Sequence, residues 1–213
     1  MIASSELPSW ASGCIDLAQP RLGTRVVSSS DDFFASHDRL INPEVPVFKP
    51  GVYDDNGKWM DGWETRRKRG QGHDHCIIAL GCPGRVRGIE LDTRNFTGNF
   101  VSAASLEGCV LESGADIASA DWSSLLAPTS LGGDVRQFFE LPSSDRIWTH
   151  LRLNAFPDGG IARLRVYGQV HVDWARGNGK EAIDLAALTS GGRAVAASDA
   201  HFGDLANLLA PGR

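Results

Sequence analysis

The sequence is poor in cysteine, methionine and tyrosine, and it has no long apolar run. Its four cysteines, Cys14, Cys76, Cys82 and Cys109, fall at irregular spacing with no CxxC pair. Four thiols in 213 residues make no disulfide framework, so they read as reduced, small apolar side chains. No stretch approaches the roughly 18 consecutive apolar residues of a membrane span, so no membrane partner is expected. Residues 1–8 lack a basic start followed by an apolar run. No secretory signal is therefore expected, and the location that follows is cytoplasmic. Amphipathic helical spacing is almost missing too, which argues against a helical fold. An excess of positive charge is also absent, since the net charge is −5. Nucleic acid is not an expected partner, and any anion must be held by locally clustered cations.

What is present is enough apolar residue, 42%, for a proper core, and one unusual stretch. Residues 58–75 gather two Trp, three carboxylates, five basic side chains, two His and three Gly. Core packing prefers Leu, Ile, Val and Phe, so this mixture belongs to a functional loop. Pro50-Gly51 and Asp55-Asn56-Gly57 precede it and Cys76-Ile77-Ile78-Ala79-Leu80 follows as a strand.

The rest reads as short strands. Residues 1–14 look like a loosely ordered leader, and 15–18 and 24–29 are extended. Residues 43–57 form a long surface loop. Residues 85–93 and 104–111 are further strands, and 116–126 hold a short helix or turn before Pro128. In 147–156, Ile147, Leu151, Leu153 and Ala155 fall on one face, and Trp148, His150, Arg152 and Asn154 on the other. That period of two fits a half-buried antiparallel strand. Pro157-Asp158-Gly159-Gly160 then predicts a tight turn into a second strand, 161–169, and hence a hairpin. Short strands with Gly/Pro turns predict an all-β sandwich.

The tail repeats the beginning. Ile15, Asp16, Leu17, Ala18, Gly23, Arg25, Val27, Ser30, Asp31, Phe34, Leu40 and Pro43 recur as Ile183, Asp184, Leu185, Ala186, Gly191, Arg193, Val195, Ser198, Asp199, Phe202, Leu208 and Pro211. Each match lies 168 positions on with no gap, a period of domain size. The expected organisation is a complete repeat at 15–169, a linker at 170–182 and the truncated start of a second repeat at 183–213. Strand edges left open there are expected to pair with another copy, giving a homo-oligomer.

Several motifs together resemble one family. They are DDFF (31–34), GKWMDGWETRRKR (57–69), GHD (72–74), DT (92–93), NFTGN (95–99), THLRLN (149–154) and PDGGIAR (157–163). The set closely resembles allantoicase, over roughly residues 15–213. The resemblance implies two related jelly-roll domains similar to galactose-binding or discoidin modules. It also implies hydrolysis of allantoate, a small-molecule substrate of purine (allantoin) breakdown, to ureidoglycolate and urea.

Allantoate carries a carboxylate and two ureido groups on one carbon. A planar bidentate cation suits the carboxylate, which points to Arg67 and Arg152, with Arg66 and His150 nearby in the sequence pattern. Thr97 and Asn99 offer hydrogen bonds to ureido groups. Expelling urea needs general acid–base work, which points to Glu64 or Asp61 as base and to His73 with Asp74 as acid and orienting group. His73-x-His75 with Asp74 and Glu64 could also supply metal ligands, but no second cluster at recognisable spacing joins them, so no cofactor is expected.

The residue types leave bland uses open beside these. Trp59 and Trp63 suit core packing as well as ligand stacking. Arg66, Arg67, Lys68 and Arg69 could form a salt-bridge patch with Asp61, Glu64 and Asp74. Asp32 and Asp158 suit turns. The rival function is a non-catalytic discoidin-like module for a small ligand or carbohydrate, which would use the same loops.

Overall fold

A computed structural model of the protein describes residues 7–112, 114–176, 182–199, 201, 203 and 205–212. Among them helical backbone is confined to 3-10 turns of three to five residues, and the architecture is all-β. The strands are β1 (Ile15–Asp16), β2 (Arg25–Ser29), β3 (Tyr53–Asp54), β4 (Gly57–Lys58), β5 (Trp63–Glu64) and β6 (Asp74–Asp92). They continue as β7 (Ala103–Cys109), β8 (Ser123–Ser130), β9 (Arg136–Glu140), β10 (Trp148–Phe156), β11 (Gly160–Ile161) and β12 (Arg163–Val170).

The ladders of the main sheet are antiparallel and fall into two layers joined by β6. In one, β2 and β10 flank residues 74–84 of β6, and β7 and β8 follow. In the other, β12 and β9 flank residues 84–92, and β1 pairs with β12. Strands that switch sheets make the corners of such sandwiches. The inward faces meet in one cluster. Ile78, Ile89, Leu91, Leu106, Leu151, Leu153, Leu164 and Val166 are each 0% exposed. Burying each such side chain contributes roughly 1.5–3 kcal/mol.

This arch differs from the sequence expectation of separate strands at 76–80 and 85–93. Gly81, Cys82, Pro83 and Gly84 look like a break in one dimension. They are the corner itself, where Pro83 is exposed and its missing N–H costs no ladder bond. The predicted hairpin is also overturned. β10 pairs with β6 and β7, whereas β12 pairs with β6 and β1, so the two belong to different layers. The PDGG turn is a crossover between layers, and part of it, β11, pairs with β5.

Three smaller corrections concern Trp148, residues 123–130 and Trp10. Trp148, expected on the polar face of β10, is 2% exposed in the core, because a bulge between Trp148 and His150 resets the alternation. Residues 123–130 are strand despite Pro128, since β8 pairs on one side only. Within the presumed leader, Trp10 stacks edge-on against Tyr167 at 6.0 Å and Ala11 is buried beside Phe138.

Residues 182–212 add no strand among the described residues. Leu188 packs on Leu22 and Cys82, and the Arg21 guanidinium donates to Asn207 Oδ1 at 3.2 Å and to the Pro211 and Gly212 carbonyls. The expected linker, 170–182, falls partly outside the described residues.

Candidate active site

Because β6 runs up one layer and down the other, both its ends lie at one edge of the sandwich. Asp74 N–H donates to the Pro157 carbonyl and Ala162 N–H to the Asp92 carbonyl, so the 157–162 crossover spans the two ends. Three loops meet there: residues 59–73, 93–102 and 157–162.

The central stretch enters through β5. Trp63 is 0% exposed, and its Nε1–H donates to the Asp31 carbonyl at 2.7 Å, so packing is its role. Strand alternation then turns the next side chain, Glu64, away from that core. Gly159 N–H donates to Thr65 Oγ1 at 3.0 Å, and Asp158 Oδ2 accepts from Lys68 N–H at 2.9 Å. Asp158 thus holds the cation-bearing segment to the 157–162 crossover. The close approach needs glycine: a Cβ on Gly160 would meet the Phe96 ring at 2.1 Å.

Two hollows open where these loops meet. The larger, about 510 Å³, is lined by Glu64, Thr65, Arg67, Lys68, Asn99 and Asp158 among others. The smaller, about 260 Å³, is lined by Lys58, Met60, Asn95 and Thr97, and shares Phe34, Glu64 and Asn99 with the larger. Further hollows of about 360 and 960 Å³ lie at the seam between residues 7–15 and 188–206 and have no carboxylate in their walls among the described residues.

Glu64 is 8% exposed, and its Oε1 accepts from Asn99 Nδ2 at 2.7 Å. Burial pushes its carboxyl above the ordinary range, with Asp54 adding to the rise and Asn99 and Lys58 opposing it. Such a carboxyl can both give and take a proton nearer neutral pH. Lys68 Nζ lies 2.7 Å from Asp74 Oδ1, which also accepts from Ser30 Oγ at 2.9 Å. Asp74 is 1% exposed and its Oδ2 has no hydrogen-bond partner among the described residues. Arg67 is exposed and has no ion-pair partner among the described residues, so its guanidinium is available to an anion.

The other expected site residues are claimed elsewhere. Asp61 forms a buried ion pair with Arg163 at 2.8 Å and accepts from Val47 N–H. The Arg163 guanidinium also donates to the Arg39, Glu44 and Asp61 carbonyls, so the pair staples the 39–61 loop to β12. Arg66 pairs with Asp31 at 2.6 Å, beside the Phe33 ring. His73, Arg152 and Asn154 form a second group on the outer face of β10. His73 Nε2 lies 3.2 Å from Asn154 Oδ1, and Arg152 pairs with Glu107 at 2.7 Å under the Trp122 ring. The Arg152 hydrogen bond holds the Glu107 carboxyl below the ordinary range. His150 bonds to Thr149, and burial lowers its pKa, with Arg25 adding to the effect.

Glu64, Arg67, Thr97 and Asn99 therefore share the double cleft, Asp74 reaches it through Lys68, and Asp61, Arg66, His73, His150 and Arg152 do not line it. Lys68, Lys58 and Asn95 were missed, although all three lie inside the motifs singled out in the sequence. Among the described residues no group of three His, Cys, Asp or Glu side chains could hold a metal ion. No helix among them is long and apolar enough to cross a membrane.

Fold and cleft define a β-sandwich with a polar cleft in the loops at one edge. A family profile described as "Allantoicase repeat" matches residues 15–171, and the chain belongs to the allantoicase family. Similar proteins include "Probable allantoicase" of Pseudomonas aeruginosa (strain LESB58), 53% identical over 93% of this chain and 60% of that protein. "Probable allantoicase 2" of Burkholderia mallei (strain ATCC 23344) is 48% identical over 100% of this chain and 63% of its own length. The crystal structure of allantoicase from Saccharomyces cerevisiae is 36% identical with a TM-score of 0.79, covering 93% of this chain and 59% of that one. The chain thus spans about 60% of the length of the curated relatives it matches. A putative chitobiase fragment from Bacteroides thetaiotaomicron, 12% identical with a TM-score of 0.52, shares the fold alone.

Proposed function

We propose that the double cleft binds allantoate and hydrolyses it to ureidoglycolate and urea. Support comes from family membership and from one observation: a buried carboxyl held above its ordinary range, Glu64, shares a cleft with the unpaired Arg67 and with Lys68. Arg67 and Lys68 take the substrate carboxylate. A hydrogen bond to a charged group contributes about 1.5–3 kcal/mol. Glu64, in its acid form, gives its proton to the nitrogen of one ureido group as the bond from that nitrogen to the central carbon breaks and urea leaves. Water supplies hydroxyl to the carbon, and its other proton returns to Glu64. Arg152 and His73, both engaged on the outer face of β10, have no part in this scheme. Arg67→Ala is expected to raise KM for allantoate about tenfold or more while kcat changes far less, as loss of an anchor common to ground and transition states requires. Unchanged KM would remove Arg67 from the site.

We also propose that residues 183–212 repeat the opening segment of the sandwich and that the protein is a homo-oligomer. Asp184 Oδ1 accepts from Ala186 N–H as Asp16 Oδ1 does from Ala18 N–H. The turn Leu188–Ser190 ends on left-handed Gly191, as Pro20–Leu22 ends on left-handed Gly23. Leu185 and Leu208 are 70% and 82% exposed, whereas Leu17 and Leu40, 168 positions earlier, are 0% exposed.

A further inference from the structure

We infer that the Glu64–Asn99 pair is a septum dividing the cleft into a carboxylate subsite and a separate ureido subsite, the latter at Asn95 and Thr97. The inference rests on the reading of the cleft as a ureido-acid site and specifies how such a ligand lies in it.

The two hollows share Phe34, Glu64 and Asn99, so these residues are the two faces of one wall. The sides differ in charge. The larger holds the unpaired guanidinium of Arg67 and the ammonium of Lys68. In the smaller, Lys58 is turned to the Phe48 ring, 4.5 Å from its centroid, and apart from the shared Glu64 the remaining polar side chains are the neutral Asn95, Thr97 and Asn99. A ureido group is neutral and planar, with N–H donors at two corners and one carbonyl acceptor. Asn99, with its NH2 committed to Glu64 Oε1, keeps its carbonyl oxygen for an N–H donor. The side chains of Asn95 and Thr97 have no hydrogen-bond partner among the described residues and can supply the complementary donor and acceptor.

Asn95 is held for this task at some cost. Its φ is 71°, a left-handed backbone that non-glycine residues rarely adopt, and its N–H donates to Asp134 Oδ1 at 2.8 Å. Residues held in such conformations concentrate at ligand sites. At about 260 Å³ the smaller hollow suits one planar arm of a small molecule, while the larger admits the carboxylate and its carbon. The ligand would straddle the septum with its central carbon over Glu64, where the transferred proton is needed.

Two stable probes separate the subsites: ureidoacetate and glycolate, which carry a ureido group or a hydroxyl on the same carboxylate-bearing carbon. Titration calorimetry should give ureidoacetate about tenfold tighter binding, the worth of one or two neutral hydrogen bonds. Asn95→Gly with Thr97→Val should erase that advantage while leaving glycolate within about twofold, since glycine accepts the left-handed backbone without strain. Thr97→Val alone, at an exposed position, should remove part of it. Arg67→Ala should weaken both probes alike. Equal binding of the two probes by the unaltered protein would overturn the septum, as would an advantage that survives the double substitution. Failure of both probes together with allantoate would instead overturn the functional reading beneath it.

Discussion

Glu64 shows how one side chain acquires a task from its surroundings. The sequence marks it as one acid among three in a loop; burial and Asn99 set it apart. If the acid form is the active one, the rate falls as pH rises through its raised pKa. Asn99 opposes the rise, so removing it lifts the pKa further, and the falling limb of the kcat profile for Asn99→Ala is expected at higher pH than in the unaltered protein. A limb that stays put or moves down would detach Glu64 from the proton transfer. The sign of the stability effect follows from the same shift. A folded pKa above the unfolded one adds stability below the unfolded value, and that stability is lost as pH rises through the folded value. Four of the expected site residues stand outside the cleft for one reason. Asp61, Arg66, His73 and Arg152 have partners at Arg163, Asp31, Asn154 and Glu107, and all four of those lie 35 to 102 positions away. Adjacency within the motif gives no sign of such pairings.

At the scale of elements, alternation located the strands and their inward faces, as in Leu151, Leu153 and Ala155 of β10. It could not tell that β6 continues through Gly81–Gly84, nor that the PDGG turn changes layer, because both depend on which strands lie alongside. The 59–73 loop owes its shape to ion pairs of unequal weight. Lys68 is the only charged partner of Asp74 among the described ion pairs, and that carboxylate is 1% exposed. The Arg66–Asp31 pair is far more open, with Arg66 62% exposed. Lys68→Ala should therefore cost about 3 kcal/mol in urea unfolding by stranding a buried charge. Arg66→Ala should cost no more than about 1 kcal/mol. Equal losses would mean that Asp74 is compensated by some other route.

At the scale of the whole molecule, the sandwich and its family were legible from motifs spread across the chain, and the 168-residue offset was legible as well. What the offset could not convey is the state of the second segment. Its local turns match those of the first, yet Leu185 and Leu208 are exposed where Leu17 and Leu40 are buried. Exposed Leu185 and Leu208 favour association between copies. Sedimentation at micromolar concentration is expected to give a dimer or larger, and Leu185→Glu with Leu208→Glu to shift it toward monomer; a monomer throughout would contradict the assembly proposed here. The proposed hydrolysis turns on proton transfer at the Glu64 cleft. Its most direct test is urea release from allantoate by the purified protein and by Glu64→Gln. The unaltered protein should release urea, and the substitution should cut kcat by about 10²–10⁴-fold, the usual worth of a positioned acid. Turnover unaffected by Glu64→Gln, or allantoate bound without any urea released, would contradict it.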